Sequence, residues 1–222
     1  MIDSKKMFIK ICGIKTENDY KLVTERKVSA VGFIAYPASP RYVEPEKLSL
    51  ILASCENNPS IKKVAVFVNS PFEEIMKYIS CGIDVVQLHG DEGPDFALKI
   101  SEYAEVWKAI RPRSEEDVRK YTSFPAKKFL IDAFSEKQRG GTGKTADREL
   151  ARLALSTYSR PVILAGGLNP ENVYEAVKTV KPYGIDVSSG VEISPGVKDF
   201  AAVDTLIVSA RKAFKEIEEN KN

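Results

Sequence analysis

The 222-residue sequence contains a single histidine, His89, and three cysteines, Cys12, Cys55 and Cys81. One imidazole cannot supply the clusters on which catalytic zinc or iron sites rest, and the cysteines lack metal-ligand spacing. A sparse, odd set of thiols fits a reducing compartment, so the cytoplasm is the expected location. The first residues reach charge at once and offer no signal-peptide core. No glycosylation acceptor is present, because Asn58 is followed by Pro59. Apolar runs are short: Ala30 to Tyr36 and Val162 to Leu168 stop at about seven residues, against roughly 20 for a membrane-spanning helix. Charge of one sign is never concentrated, with 33 Lys+Arg against 31 Asp+Glu and a net charge of +2. That balance argues against nucleic acid or a membrane as partner. Thirteen glycines and 12 prolines leave no room for a collagen-like or low-complexity reading.

What is present is a regular alternation. Eight short β-rich runs occur near residues 8–12, 30–35, 63–68, 84–88, 105–110, 128–132, 162–165 and 184–187. Their starts lie roughly 21 to 34 residues apart, the span of one strand, one helix and two loops. Between them the apolar period lengthens from near 2 to near 3.6, as in Leu48, Ile51, Leu52 and Cys55, in Phe72, Ile75, Met76 and Ile79, and in Phe200, Val203, Ile207, Ala210, Phe214 and Ile217. Thr16 to Asp19 and Ser114 to Asp117 match capping-box patterns, and Pro45, Pro71, Pro94 and Pro170 mark first helical turns. Eight βα units of even spacing predict a closed (β/α)8 barrel forming one compact domain over residues 1–222. An open doubly wound sheet would usually carry a Gly-x-Gly-x-x-Gly turn after its first strand, where this chain has Cys12-Gly13-Ile14-Lys15-Thr16. Glu216 to Asn222 reads as a fraying polar tail. A monomer and a homodimer are both compatible with these patterns, because an exposed apolar patch and a core stripe look alike in sequence.

Active sites on such barrels lie at the C-terminal ends of the strands. Those ends are Cys12, Tyr36, Asn69, His89, Arg111, Asp132, Gly166-Gly167 and Ser188-Ser189-Gly190. The last two groups close the seventh and eighth runs, where bare backbone N–H groups of Gly166, Gly167 and Gly190 can approach a phosphate; turn punctuation is the alternative. Gly140 to Thr145 imitates a nucleotide-binding loop, but its required first glycine is Gln138. Cys12 and Asp132 end the first and sixth runs and could face one ligand as a thiolate base and a carboxylic acid. Cys55, on an apolar stripe, and Cys81, at a helix end, read as structural. His89 lacks a Gly-x-Ser-x-Gly partner and fits a supporting hydrogen bond. Arg41 is either a solvated surface residue or a grip for a substrate carboxylate. Lys108 is the nearest approach to a Schiff-base lysine and is poorly placed inside its run.

As a set, these motifs resemble the phosphoribosylanthranilate isomerase family of tryptophan biosynthesis. The likeness is carried by Lys10-Ile11-Cys12-Gly13-Ile14, Ser39-Pro40-Arg41-Tyr42, Val86-Gln87-Leu88-His89-Gly90, Ile131-Asp132, Ala165-Gly166-Gly167-Leu168-Asn169-Pro170 and Ile185-Asp186-Val187-Ser188-Ser189-Gly190-Val191-Glu192. The match runs from about Lys10 to Lys198, with a nondescript fifth unit. The resemblance implies an Amadori rearrangement of a phosphorylated aminosugar without metal or cofactor. It implies Asp132 as general acid, Cys12 as general base, and Arg41 facing the anthranilate carboxylate. His89 would assist in substrate binding, and Gly166, Gly167, Ser188, Ser189 and Gly190 would hold the phosphate. Asp186 belongs to the motif, with orientation of His89 or of the ligand as its open alternatives. Ala133 to Arg139 and Ala146 depart from the family pattern.

Overall fold

Parallel strands covered on both faces need apolar side chains on both, so their sequences lose the alternation of a half-exposed sheet. The strands here show that composition, and the computed structural model describes residues 7–56, 58–132 and 143–220, with side chains from Arg148 onward in the last stretch. Eight parallel strands close into a barrel in sequence order: β1 (Phe8–Cys12), β2 (Ala30–Ile34), β3 (Lys62–Phe67), β4 (Val85–Leu88), β5 (Glu105–Ile110), β6 (Lys128–Asp132), β7 (Val162–Ala165) and β8 (Gly184–Val187). Closure is made by β1 against β8, with Phe8 opposite Gly184 and Ile11 opposite Val187. Seven helices alternate with the strands: α1 (Glu17–Glu25), α2 (Pro45–Ala53), α3 (Phe72–Ser80), α4 (Pro94–Ser101), α5 (Glu115–Arg119), α6 (Gly143–Thr157) and α7 (Val173–Val180). After β8 come a single 3-10 turn (Ser189–Val191), a small hairpin of β9 (Glu192–Ser194) and β10 (Val197–Lys198), and the final helix α8 (Phe200–Glu219). The fold is therefore a compact (β/α)8 barrel.

Local chemistry sets most helix starts. Thr16 caps α1 by accepting from the Asp19 amide, and Ser114 and Asp117 form a reciprocal capping box on α5. Pro45 and Pro94 occupy first turns, whereas Pro71 is the N-cap of α3. Pro170 stands in the turn ahead of α7, which begins three residues later because Asn172 serves as its cap residue. The expected polar tail is also corrected. α8 continues through Glu219, since Ile217 extends its buried stripe and Glu216 accepts from Tyr174 and Lys178 of α7. Ala133 to Thr142 lie outside the described residues, as does the Ala146 side chain.

Two apolar layers result. The helices bury the outer strand residues, including Ile9, Ile11, Val31, Phe33, Val86 and Ile185. A smaller cluster fills the barrel itself: Phe8, Ala30, Val64, Val85, Trp107, Ala109, Leu130 and Ile163. Each strand thus sends alternate residues inward, and on β1 the inward set is Phe8, Lys10 and Cys12. This places a lysine between the packed interior and the mouth. Among the described residues no helix is long and apolar enough to cross a membrane.

Candidate active site

A cavity of about 780 Å³ opens at the C-terminal ends of the strands. Cys12, Arg41, His89, Asp132, Gly166, Gly167, Asp186, Ser188, Ser189 and Gly190 all line it, so the predicted site residues converge on one space from six of the eight strand ends. Arg111, Gln87 and Ser39 join them.

Cys12 ends β1 almost fully buried, with Lys10 two residues below on the same face. Lys10 has no solvent exposure, and its ammonium donates to both carboxylate oxygens of Asp186 on β8, each at 3.0 Å. Gly32 of β2 creates the room for this arrangement. A Cβ there would lie 2.5 Å from the Cys12 sulfur and 3.0 Å from both Lys10 Cε and Nζ. Burial pushes the Cys12 thiol up, and the Lys10 ammonium opposes that rise. Burial would depress the Lys10 ammonium, but Asp186 and the Cys12 sulfur outweigh it and hold the group above the ordinary lysine value. Burial likewise raises the Asp186 carboxyl against the pull of Lys10. Asp186 therefore pairs with Lys10 in this structure, which separates it from the expected alternative of orienting His89.

On the opposite wall, Asp132 ends β6 and accepts from Arg111 Nε at 2.7 Å, while His89 Nε2 lies 4.0 Å from the same carboxylate oxygen. Burial first, and then the Arg111 charge, lower the His89 imidazole to about 4, so it is neutral at physiological pH. The Gln87 amide nitrogen is 3.5 Å from His89 Nδ1 and can only donate there. With the amide in this orientation the ring proton sits on Nε2, on the side of Asp132. Both His89 Nε2 and Gln87 Oε1 are buried without a hydrogen-bond partner. Unsatisfied groups at a cavity wall are groups a ligand can satisfy.

Arg41 is neither fully solvated nor free. Its Nε donates at 2.9 Å to Glu192 Oε1, and its Nη2 donates at 2.5 Å to Oε2. Glu192 also accepts from Lys198 at 2.8 Å, and Lys198 donates further to the carbonyls of Cys12 and Ser188. Burial would raise the Glu192 carboxyl, but its bonds to Arg41 and Lys198 hold it below the usual range. One buried lysine from β10 thereby ties the end of β1 to the loop after β8. The sequence offered little warning of this: Glu192 closes a recognised motif without a role, and Lys198 stands at its margin. Lys108, considered for imine chemistry, instead donates to Glu92 and to the Gly90 carbonyl and braces the loop after β4.

The two glycine-containing loops meet at the mouth. Gly166 and Gly167 have φ of 88° and 60°, a left-handed turn that brings main chain to the cavity edge. Asn172 donates to the Gly167 carbonyl and accepts from the Asn169 amide, which fixes this loop. Gly190 packs so closely on the Leu168 carbonyl that any side chain would collide with it.

A sequence model of the family described as N-(5'-phosphoribosyl)anthranilate (PRA) isomerase matches residues 9–209. The chain is 42% identical to N-(5'-phosphoribosyl)anthranilate isomerase of Aquifex aeolicus over 200 residues, 90% of this chain and 96% of that protein. The crystal structure of phosphoribosyl anthranilate isomerase from Thermotoga maritima superposes with a TM-score of 0.82 at 38% identity, covering 93% of this chain and all of the other. A crystal structure of phosphoribosyl anthranilate isomerase in complex with reduced 1-(o-carboxyphenylamino)-1-deoxyribulose 5-phosphate gives a TM-score of 0.80 at 36% identity, with coverage of 93% and 100%.

Proposed function

The chain belongs to the N-(5'-phosphoribosyl)anthranilate isomerase family, and from that premise we propose how its barrel mouth converts this aminoaldose into the 1-deoxyribulose ketone of tryptophan biosynthesis. The carrying observation is that a thiol from β1 and a carboxyl from β6 border one cavity whose far rim is main chain from Gly166, Gly167 and Ser188 to Gly190.

Asp132 acts as the general acid. It gives a proton to the furanose ring oxygen as the C1–O bond breaks, and the anilino nitrogen lone pair forms the iminium. Arg111, which holds Asp132 beforehand, is 70% exposed and can leave without stranding a buried charge. Cys12 then removes the proton from C2 as a thiolate, and the C–H electrons neutralise the iminium to give an enolamine. Ketonisation carries a proton to C1, and exchange with solvent returns the thiol proton to the acid. Substrate and product are isomers, so no redox partner is consumed. Neutral His89, its Nε2–H directed by Gln87, donates to a sugar oxygen beside Asp132. Arg41 turns its remaining guanidinium edge to the anthranilate carboxylate, while the glycine and serine loops receive the phosphate through backbone N–H groups. Asp186 meets the ligand from beside Lys10.

The cavity residues come from one chain, which supports turnover by a monomer as well as by a homodimer. A reducing compartment such as the cytoplasm suits a base that works only as a free thiol. The test follows the fluorescence of phosphoribosylanthranilate as purified enzyme consumes it. Cys12→Ser and Asp132→Asn are each expected to lower kcat by about 10²–10⁴-fold. Unaltered turnover in either variant would remove the role assigned to that residue.

A further inference from the structure

An acid–base site in which the base is a buried thiol faces a physical problem, because burial favours the protonated, unreactive form. The geometry points to Lys10 as the positioning residue that solves it: its ammonium, seated in the Gly32 niche between the Cys12 sulfur and the Asp186 carboxylate, supports the thiolate from beneath the ligand. The inference rests on the reading of Cys12 as the base, and it assigns a job to a residue that does not touch the substrate.

Three observations carry it. First, Lys10 is fully buried and still charged, since both oxygens of Asp186 accept from it at 3.0 Å. A lysine inside a barrel is costly and is not needed for packing, as Phe8 and Trp107 already fill the layer below. Second, one point in space, the position a Gly32 Cβ would take, lies within 3.0 Å of the Cys12 sulfur, Lys10 Cε and Lys10 Nζ. The absent side chain on β2 is what allows sulfur and ammonium to share a niche. Third, Asp186 accepts from the same ammonium, so the cation lies beside both a carboxylate and the sulfur and acts on each.

The remaining charges around the sulfur are accounted for. Lys198 of β10 faces Cys12 from the hairpin side, but its ammonium is already bound to Glu192 and to the carbonyls of Cys12 and Ser188. Arg41, in the loop after β2, is paired with Glu192. Asp132 acts on Asp186 and on His89 from β6. His89 of β4 also feels Lys10, and it stays neutral. Lys10 is thus the cation that hydrogen-bonds Asp186 and, of the charges named here, acts most strongly on the sulfur.

The arrangement makes two substitutions move the thiol in opposite directions. Lys10→Met removes the cation and leaves sulfur beside a carboxylate. Asp186→Asn removes the competing anion and leaves the whole ammonium to the sulfur. The measurement is the rate of alkylation of Cys12 by iodoacetamide as a function of pH, resolved from Cys55 and Cys81 by peptide mass spectrometry. The midpoint is expected to rise by about one to two pH units in Lys10→Met and to fall by about one in Asp186→Asn. In Lys10→Met the pH profile of kcat shifts upward with the alkylation midpoint, so part of the activity lost at neutral pH returns at higher pH. If Lys10→Met fails to fold, the downward shift in Asp186→Asn decides alone. Midpoints that stay at the wild-type value, or that move in the same direction in both variants, overturn the inference. Alkylation reads the sulfur and not the reaction, so a failure of Cys12 as base, seen as turnover by Cys12→Ser, is separately visible.

Discussion

The two ends of the barrel treat buried polarity in opposite ways. At the N-terminal end, Phe8 meets Trp107 edge-on at 5.6 Å and stacks on Tyr183 at 5.7 Å, and the indole N–H and the charges beside it are paired. Trp107 Nε1 donates to Glu105 at 2.6 Å, Lys128 donates to the same oxygen at 2.9 Å, and the Lys128 ammonium lies 4.9 Å from the Trp107 ring centre. Burial would raise Glu105, yet these donors hold its carboxyl below the usual range. At the C-terminal end, by contrast, the thiol is pushed up, the imidazole is pushed down, and Gln87 and His89 each keep an unpartnered polar atom. One end is built to be stable. The other holds groups in states that water would relieve, and that cost is the expected mark of a site prepared for a ligand.

If that division is real, damage to the floor should unfold the protein without altering the chemistry. Trp107→Ala removes a fully buried indole and its ring contacts, and is expected to cost about 3–5 kcal/mol of stability. Urea unfolding followed by circular dichroism measures the loss, while kcat of the folded fraction should stay within about threefold of wild type. A Trp107→Ala protein of normal stability but depressed kcat would mean that the two ends are coupled and the comparison fails.

Much of the architecture was readable because it rests on local rules. Alternating periods, the Thr16 and Ser114 caps and the first-turn prolines at positions 45 and 94 all concern residues a few places apart. The placement of Cys12 and Asp132 on one cavity was legible for a similar reason, since both end strands of a barrel and the cavity opens at those ends. The charged support was not. Strands buried on both faces give no sign of which residue points inward, so Lys10 in Phe8-Ile9-Lys10-Ile11-Cys12 reads as an interruption and not as a partner of Asp186, 176 residues away. Arg41 shows the same limit. Its position was visible, but the Glu192 and Lys198 that hold it arrive through a hairpin whose return cannot be seen from spacing.

The mouth is where acid should act first. His89 falls from 6.5 in the unfolded chain to about 4 in the folded one, so between these values the unfolded state binds the extra proton. Stability attributable to this residue is therefore complete above about pH 6.5 and is lost progressively as the pH falls toward 4, by up to about 3 kcal/mol. A His89→Gln variant should lack that component. Urea midpoints at pH 7 and pH 4.5 for both proteins give the comparison, and an equal acid loss in the variant would place the sensitive group elsewhere.

The smallest effect separates cost from use at a single atom. Gln87 Oε1 is buried with no partner, so the residue holds part of its polarity unsatisfied. Gln87→Met keeps the side-chain length, discards that oxygen, and gives up only a long contact of 3.5 Å to His89 Nδ1. The variant is expected to be more stable than wild type by about 0.5–1 kcal/mol, because relief of a buried unsatisfied acceptor outweighs so weak a bond. Activity should move the other way. Without the amide to select the Nε2–H tautomer, His89 can present a lone pair to the cavity, and kcat should fall by about three- to tenfold with little change in KM. A variant that lost stability and kept its rate would show Gln87 to be ordinary packing, and the mouth would then differ from the floor in composition but not in purpose.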